Sequence, residues 1–175
     1  RIENSAPYGV AVTCIGNLNE WQSWNPSDGN SFEADPLFAN LVGGDLHPRS
    51  VGGRYDPATS NFVEDAETSP LIDLADPTLA WTNETAPNGD RANIGVYGGD
   101  PQASRTPAEG SFVLLNLNHG GIARGSQALR WYARGAAFTA AVYTVDVSIS
   151  TNSGATYQTV GSSLSALAGT YTWDT

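Results

Sequence analysis

Between residues 35 and 107 the chain meets a turn-forcing pair or triplet every few residues: Asp35-Pro36, Gly43-Gly44, Asp56-Pro57, Ser69-Pro70, Asp76-Pro77 and Pro87-Asn88-Gly89. Proline fixes φ and removes a backbone donor, while glycine admits positive φ. Neither a helix nor a long strand ladder can run through such punctuation. The stretch is expected to be loop-dominated, with Leu37 and Phe38, Leu71 and Ile72, and Ile94 and Val96 supplying apolar side chains between the bends.

The pattern changes after a short linker at 108–110. Val145, Val147 and Ile149 alternate with Asp146, Ser148 and Ser150, the period of two that marks a half-buried strand, and Asn152-Ser153-Gly154 turns the chain back. Strands are expected near 111–117, 127–133, 142–150, 155–160 and 169–174, with Trp131 and Trp173 in the core. That is about five strands in the last 65 residues. Upstream, Ile2 to Thr13 reads as a turn followed by a short β-rich run, as one coil of a solenoid would. Residues 21–30 read as a loop, because Pro26, Asp28, Gly29 and Asn30 are turn formers.

The ordered string Asp35-Pro36-Leu37-Phe38, Gly44-Asp45-Leu46-His47, Gly53-Arg54-Tyr55-Asp56-Pro57, Ser69-Pro70-Leu71-Ile72-Asp73, Asp76-Pro77 and Pro87-Asn88-Gly89-Asp90-Arg91-Ala92-Asn93-Ile94-Gly95-Val96-Tyr97-Gly98-Gly99 resembles the C-terminal closing segment of secreted right-handed parallel β-helix repeat proteins of pectate-lyase-like architecture. It departs from that pattern at Leu74-Ala75 and at Asp100. Leu129-Arg130-Trp131, the Gly120-Gly121 pair and Gly169-Thr170-Tyr171-Thr172-Trp173 are similar to the bacterial immunoglobulin-like modules that follow such β-helices, with Tyr157 where that pattern usually has Trp. The resemblance implies an all-β chain in two parts. Residues 1–107 would be the last coil and loop-rich cap of a right-handed parallel β-helix. Residues 108–175 would be an immunoglobulin-like β-sandwich lacking its last strands. It also implies an extracellular or cell-surface location.

Composition narrows the chemistry. Eighteen acids face eight bases for a net charge of −10, and every base is Arg. Such a surface repels phosphate backbones, so nucleic acid is not an expected partner. With no Lys, Lys-based proton abstraction is excluded. The lone Cys14 can form neither an intramolecular disulfide nor a Cys-type zinc site, and His47 and His119 sit in unrelated segments without a two-His motif. No apolar run approaches the roughly 18 residues of a membrane span.

Three tryptophans in loop-like sequence, Trp21, Trp24 and Trp81, are the candidate carbohydrate-binding residues, because aromatic faces stack on sugar rings; the competing reading folds them over the cap as a satellite core. Glu64, Asp65 and Glu67 cluster as a glycosidase carboxylate pair would, yet charge clusters in loops are usually solvated. Asp73, Asp76, Asp90 and Arg91 are expected in turn contacts, since Asp caps backbone groups and an Arg fork satisfies several carbonyls. No cofactor is required. Calcium is the one cation the acids leave open, with Asp45, Asp56, Asp73 or Asp76 as oxygen ligands, although EF-hand spacing is missing. No catalytic residue is named.

The expected function is a non-catalytic extracellular structural or adhesive module; the missing strands either follow Thr175, the plainer reading, or come from another chain, in which case copies self-associate through an open sheet edge and assemble by strand complementation into a surface filament or sheet. The alternatives are a carbohydrate-binding accessory region with a polysaccharide partner, or the tail of a polysaccharide lyase or hydrolase whose active coils lie upstream.

Overall fold

The computed structural model describes residues 18–117, 124–135, 138 and 143–175. The expected solenoid coil at 2–13, Cys14 and the segment around His119 fall outside them. Within the described residues, a helix α1 (Leu18–Trp24) and a 3₁₀ turn (Pro26–Asp28) precede nine short strands. Every strand pairing is antiparallel, in three two-stranded sheets and one three-stranded sheet. The chain is therefore all-β with little helix.

The helix corrects the loop expected at 21–30. Seven residues are too few to hold a helix alone, because nucleation fixes several dihedrals for one hydrogen bond. Side chains tie α1 to the turn that follows it. Trp21 Nε1 donates to the Asp28 carboxylate at 2.5 Å, and Gln22 Nε2 donates to the carbonyls of Asp28 at 3.0 Å and Ser31 at 2.6 Å. The turn formers Pro26 and Asp28 end the helix, as their chemistry requires.

In the Pro- and Gly-punctuated region, β1 (Phe38–Asn40) pairs with β2 (Asp45–Pro48), and β3 (Arg54–Asp56) with β4 (Asn61–Val63). From there to Gly110 no strand forms. The bends are held by polar groups instead. Ser50 Oγ donates to the Arg105 carbonyl, Ser69 Oγ to the Pro36 carbonyl and Ser104 Oγ to the Pro48 carbonyl, at 2.5 to 2.6 Å. These hydroxyls are fully buried and reach across the fold, satisfying carbonyls that no ladder pairs. Ile72, Leu74, Ala75, Ala92 and Ala103 are the buried apolar residues of this region.

After the turn at Pro107–Gly110 the chain becomes regular. The central strand β6 (Ser126–Arg134) pairs with β5 (Ser111–Leu114) on one side and β9 (Thr170–Asp174) on the other. A second sheet joins β7 (Thr144–Ile149) to β8 (Gln158–Ser165). Leu129 and Trp131 from β6 meet Val147 from β7 in a buried cluster, flanked by Val145, Val160, Leu164, Tyr171 and Trp173. Burying each of the three central side chains stabilises by roughly 1.5–3 kcal/mol or more. Trp131 satisfies its indole by donating to the Ala166 carbonyl at 2.7 Å. The strands fall near the expected positions, except that β5 ends at Leu114 instead of 117 and β8 runs on to Ser165 instead of ending near 160; Trp131 and Trp173 face this core as expected.

Strand β6 is covered on both faces. Alternate residues point to opposite sides, so Leu129 and Trp131 enter the two-sheet core while Arg130, Tyr132 and Arg134 face away from it. Each of these three meets the N-terminal part of the chain. Arg130 donates to Gln22 Oε1 at 3.3 Å, the Arg91 guanidinium lies 4.9 Å from the Tyr132 ring centre, and Arg134 Nε stands 3.1 Å from Asp73 Oδ2. The outer face of one strand thus fastens the loop-rich region to the strands that follow.

Candidate functional site

Two features could carry function: a buried polar seam under β6, and a strand edge that no second described strand pairs. The seam centres on Asp73, which is 0% exposed and holds positive φ (+51°) in a tight bend. Its carboxylate accepts the Thr106 hydroxyl at 3.0 and 2.9 Å and faces Arg134, itself 6% exposed. Asn93 accepts the Asp73 backbone N–H at 2.7 Å and donates to the Ser104 carbonyl at 2.7 Å. Gly89 packs so closely that a Cβ there would sit 2.3 Å from Asp73 Oδ2. Burial pushes the Asp73 carboxyl above its ordinary range, against the pull of Arg134 and Thr106. Burial likewise lowers Arg134, although a guanidinium stays charged at neutral pH.

Beside the seam, buried Glu84 accepts the backbone N–H groups of Asn93 at 2.8 Å and Gly99 at 2.7 Å through Oε1, while its Oε2 hydrogen-bonds nothing. Desolvation raises its pKa more than the two N–H groups lower it. Arg91 donates to the carbonyls of Ala75 and Leu74 at 2.5 and 3.3 Å. The expectation that Asp73 and Arg91 serve internal contacts is met. The sequence did not suggest that Arg134 would be the partner of Asp73.

His47 forms a second polar group. Its Nδ1 lies 2.6 Å from Asp45 Oδ1, its ring stacks on Tyr97 with centroids 3.6 Å apart, and its Nε2 is buried without a hydrogen-bond partner. An Asp-oriented histidine acts in nucleophilic catalysis by taking a proton at the other ring nitrogen. Among the described residues no hydroxyl or thiol hydrogen-bonds that nitrogen. The arrangement packs Tyr97 against the β1–β2 hairpin.

The remaining sequence candidates do not converge. Trp21 and Trp24 meet with ring centroids 5.3 Å apart, but their planes are tilted by 42°, so they form no flat platform; Trp24 is 65% exposed, and Trp21 is half-buried. Trp81 lies in a separate turn closed by Glu84 N–H to the Trp81 carbonyl, and makes no ring contact among the described residues. Asp56 accepts Ala58 N–H and Thr59 Oγ, and Asp76 accepts Thr78 N–H and Oγ; these local bonds hold both carboxyls below the ordinary range. Asp45 faces His47 and Arg54. Asp45, Asp56, Asp73 and Asp76 therefore make separate contacts, and no group of three or more metal-ligating side chains forms among the described residues. Of the Glu64, Asp65 and Glu67 cluster, Asp65 is held by Arg54 at 3.2 Å and by Ser50 N–H at 3.0 Å, leaving Glu64 and Glu67 exposed. A shallow cavity of about 470 Å³, lined by Ala39, Arg49, Arg54, Asp65, Ala66 and Glu67, lies beside that ion pair.

One such edge belongs to the β7–β8 sheet, where β7 has β8 as its one partner among the described residues, as β5 and β9 each have β6. The two strands differ in regularity. Between Val145 and Val147 the partner moves from Leu164 to Gly161, and between Val147 and Ser148 it moves from Gly161 to Thr159, so the extra residues all sit in β8. Ser163 in β8 also has positive φ (+54°), and its N–H is taken by Asp146 Oδ1 at 2.8 Å. Bulges of this kind blunt an edge against pairing. Strand β7 carries none. Comparison with family models, with curated proteins and with solved structures finds no match for this chain.

Proposed function

We propose that the chain is a non-catalytic extracellular structural or adhesive module. In this reading residues 35–107 seal the end of a right-handed parallel β-helix. Residues 111–175 form an immunoglobulin-like sandwich with a short sheet, and that sheet's open edge joins copies of the protein at a cell surface. The observation that carries the proposal is the regular, unbulged edge of β7 in a two-stranded sheet whose inner face is already packed on Trp131. An edge of this kind templates pairing with another strand. The polar groups support the same reading, because Asp73, Glu84, Arg91, Arg134 and His47 all bind parts of this chain.

Sedimentation velocity across a hundredfold range of concentration tests the proposal. Concentration-dependent association is expected, and a monodisperse monomer throughout would overturn it. The carbohydrate-binding alternative requires a sugar to rest on Trp21 and Trp24. The tilt between those rings argues against a flat stacking surface. A glycan array probed with the chain is expected to show no signal that Trp21→Ala and Trp24→Ala remove.

A further inference from the structure

From the register and side-chain order of β7, we infer that the partner at the open edge is the same strand of a second copy, paired antiparallel about a two-fold axis with Val147 opposite Val147. This deepens the self-association reading and rests on it.

Strand β7 runs Thr144-Val145-Asp146-Val147-Ser148-Ile149, with Val145, Val147 and Ile149 facing the core and Thr144, Asp146 and Ser148 exposed. A two-fold axis perpendicular to the sheet keeps each face on its own side, so residues opposite one another must come from the same face. The axis must then pass through a residue. Centred on Asp146, the pairing would set two carboxylates directly opposite, which like charges resist. Centred on Ser148, it shortens the overlap of the two strands. Centred on Val147, it places Asp146 opposite Ser148 twice and Val145 opposite Ile149 twice, with no like charges opposed. The result is a continuous four-stranded sheet in the order β8, β7, β7, β8, with the bulged β8 strands at its outer edges. Bulges at those edges stop further addition, so the sheet closes as a dimer. Larger surface assemblies then need a second contact.

Ser148 is exposed and away from the core, which makes it a clean probe of the register. Its hydroxyl meets only Thr159 across the strand pair. In the paired state Ser148→Arg sets a guanidinium opposite Asp146 of the other copy at two places, and Ser148→Asp sets two carboxylates opposite Asp146 instead. Cross-strand charge pairs of either sign predict a change of about two- to thirty-fold in the dimer dissociation constant, tighter for Ser148→Arg and weaker for Ser148→Asp. Sedimentation equilibrium of the parent chain and both variants reads these constants. Hydrogen exchange at 144–149 should slow as concentration rises in the parent. If the parent associates but both variants match it, or if 144–149 gain no protection, the β7 pairing is wrong while self-association stands. If the parent is monomeric at every concentration, both fail.

Discussion

Removing Asp73 should cost the fold more than removing Arg134, although the two form one ion pair. The pair lies 3.1 Å apart with side chains 1% and 4% exposed, and the guanidinium nitrogens of Arg134 have no well-aligned hydrogen bond. Asp73→Ala leaves a cation in that interior. Arginine cannot shed its proton at neutral pH, so the uncompensated charge costs about 3–5 kcal/mol. The Thr106 hydroxyl also loses its acceptor, adding about 1 kcal/mol or more. Arg134→Met leaves the carboxyl instead, and that group escapes by taking up a proton, since burial already raises its pKa. The neutral acid keeps its hydrogen bond with Thr106.

The sign with pH follows. A carboxyl whose folded pKa lies above its unfolded value contributes stability that is complete below the unfolded value and is lost as pH rises through the folded one. Without Arg134 the rise is larger, so the cost of Arg134→Met should shrink steadily from pH 7 toward pH 4. The cost of Asp73→Ala has no such carboxyl to relieve it. Urea unfolding at several pH values measures both. With a slope of about 2 kcal/mol per molar, Asp73→Ala should lower the midpoint by about 2–3 M at pH 7. The double variant Asp73→Ala with Arg134→Met should recover much of that loss, because no buried charge remains. Equal costs for the two single variants at pH 7, or a cost of Arg134→Met that grows toward acid, would refute the reasoning.

Gly110→Ala should destabilise by about 2 kcal/mol or more, because φ is +91° and the new methyl would sit 2.0 Å from the Arg134 carbonyl oxygen; a thermal melt checks this. Glu84→Gln should flatten the dependence of stability on pH. The raised Glu84 pKa makes its contribution complete below its unfolded value and lost as pH rises through the folded one, so the variant's melting temperature should gain on the parent's from pH 4 to pH 7.

The strands of the second half were legible because their signal is local: Val145, Val147 and Ile149 mark β7, and the Gly169-to-Trp173 run covers all of β9 but Asp174. Turn chemistry was equally local, and Asp56 and Asp76 do cap their own bends. The helix at Leu18–Trp24 was hidden, since its stability depends on contacts to Asp28 and Ser31 that no periodicity records. A signal was present in the i, i+3 spacing of Leu18, Trp21 and Trp24, but the turn formers just beyond outweighed it. Least legible was the seam. Asp73 reads as a turn residue and Arg134 as a strand residue, and only the fold brings a loop bend under the outer face of β6. The regularity of β7 beside a bulged β8 was unreadable for the same reason, because register is a property of two strands.

The charges suggest why pairing at β7 should use backbone rather than salt bridges, and how it should respond to salt. Five of the eight arginines, Arg54, Arg91, Arg105, Arg130 and Arg134, are engaged with this chain's own carboxylates, carbonyls, rings or amides. Few cations remain to attract a second copy, and two copies of net charge −10 repel at long range. Backbone hydrogen bonds along an edge act at contact and are little screened, whereas the repulsion falls off over a Debye length of about 8 Å at 0.15 M salt. Self-association should therefore tighten as sodium chloride rises from 20 to about 300 mM, opposite to an interface held by surface ion pairs. Sedimentation equilibrium along that series gives the sign directly. Weaker association at higher salt would mean that opposite charges, and not a strand edge, bring the copies together.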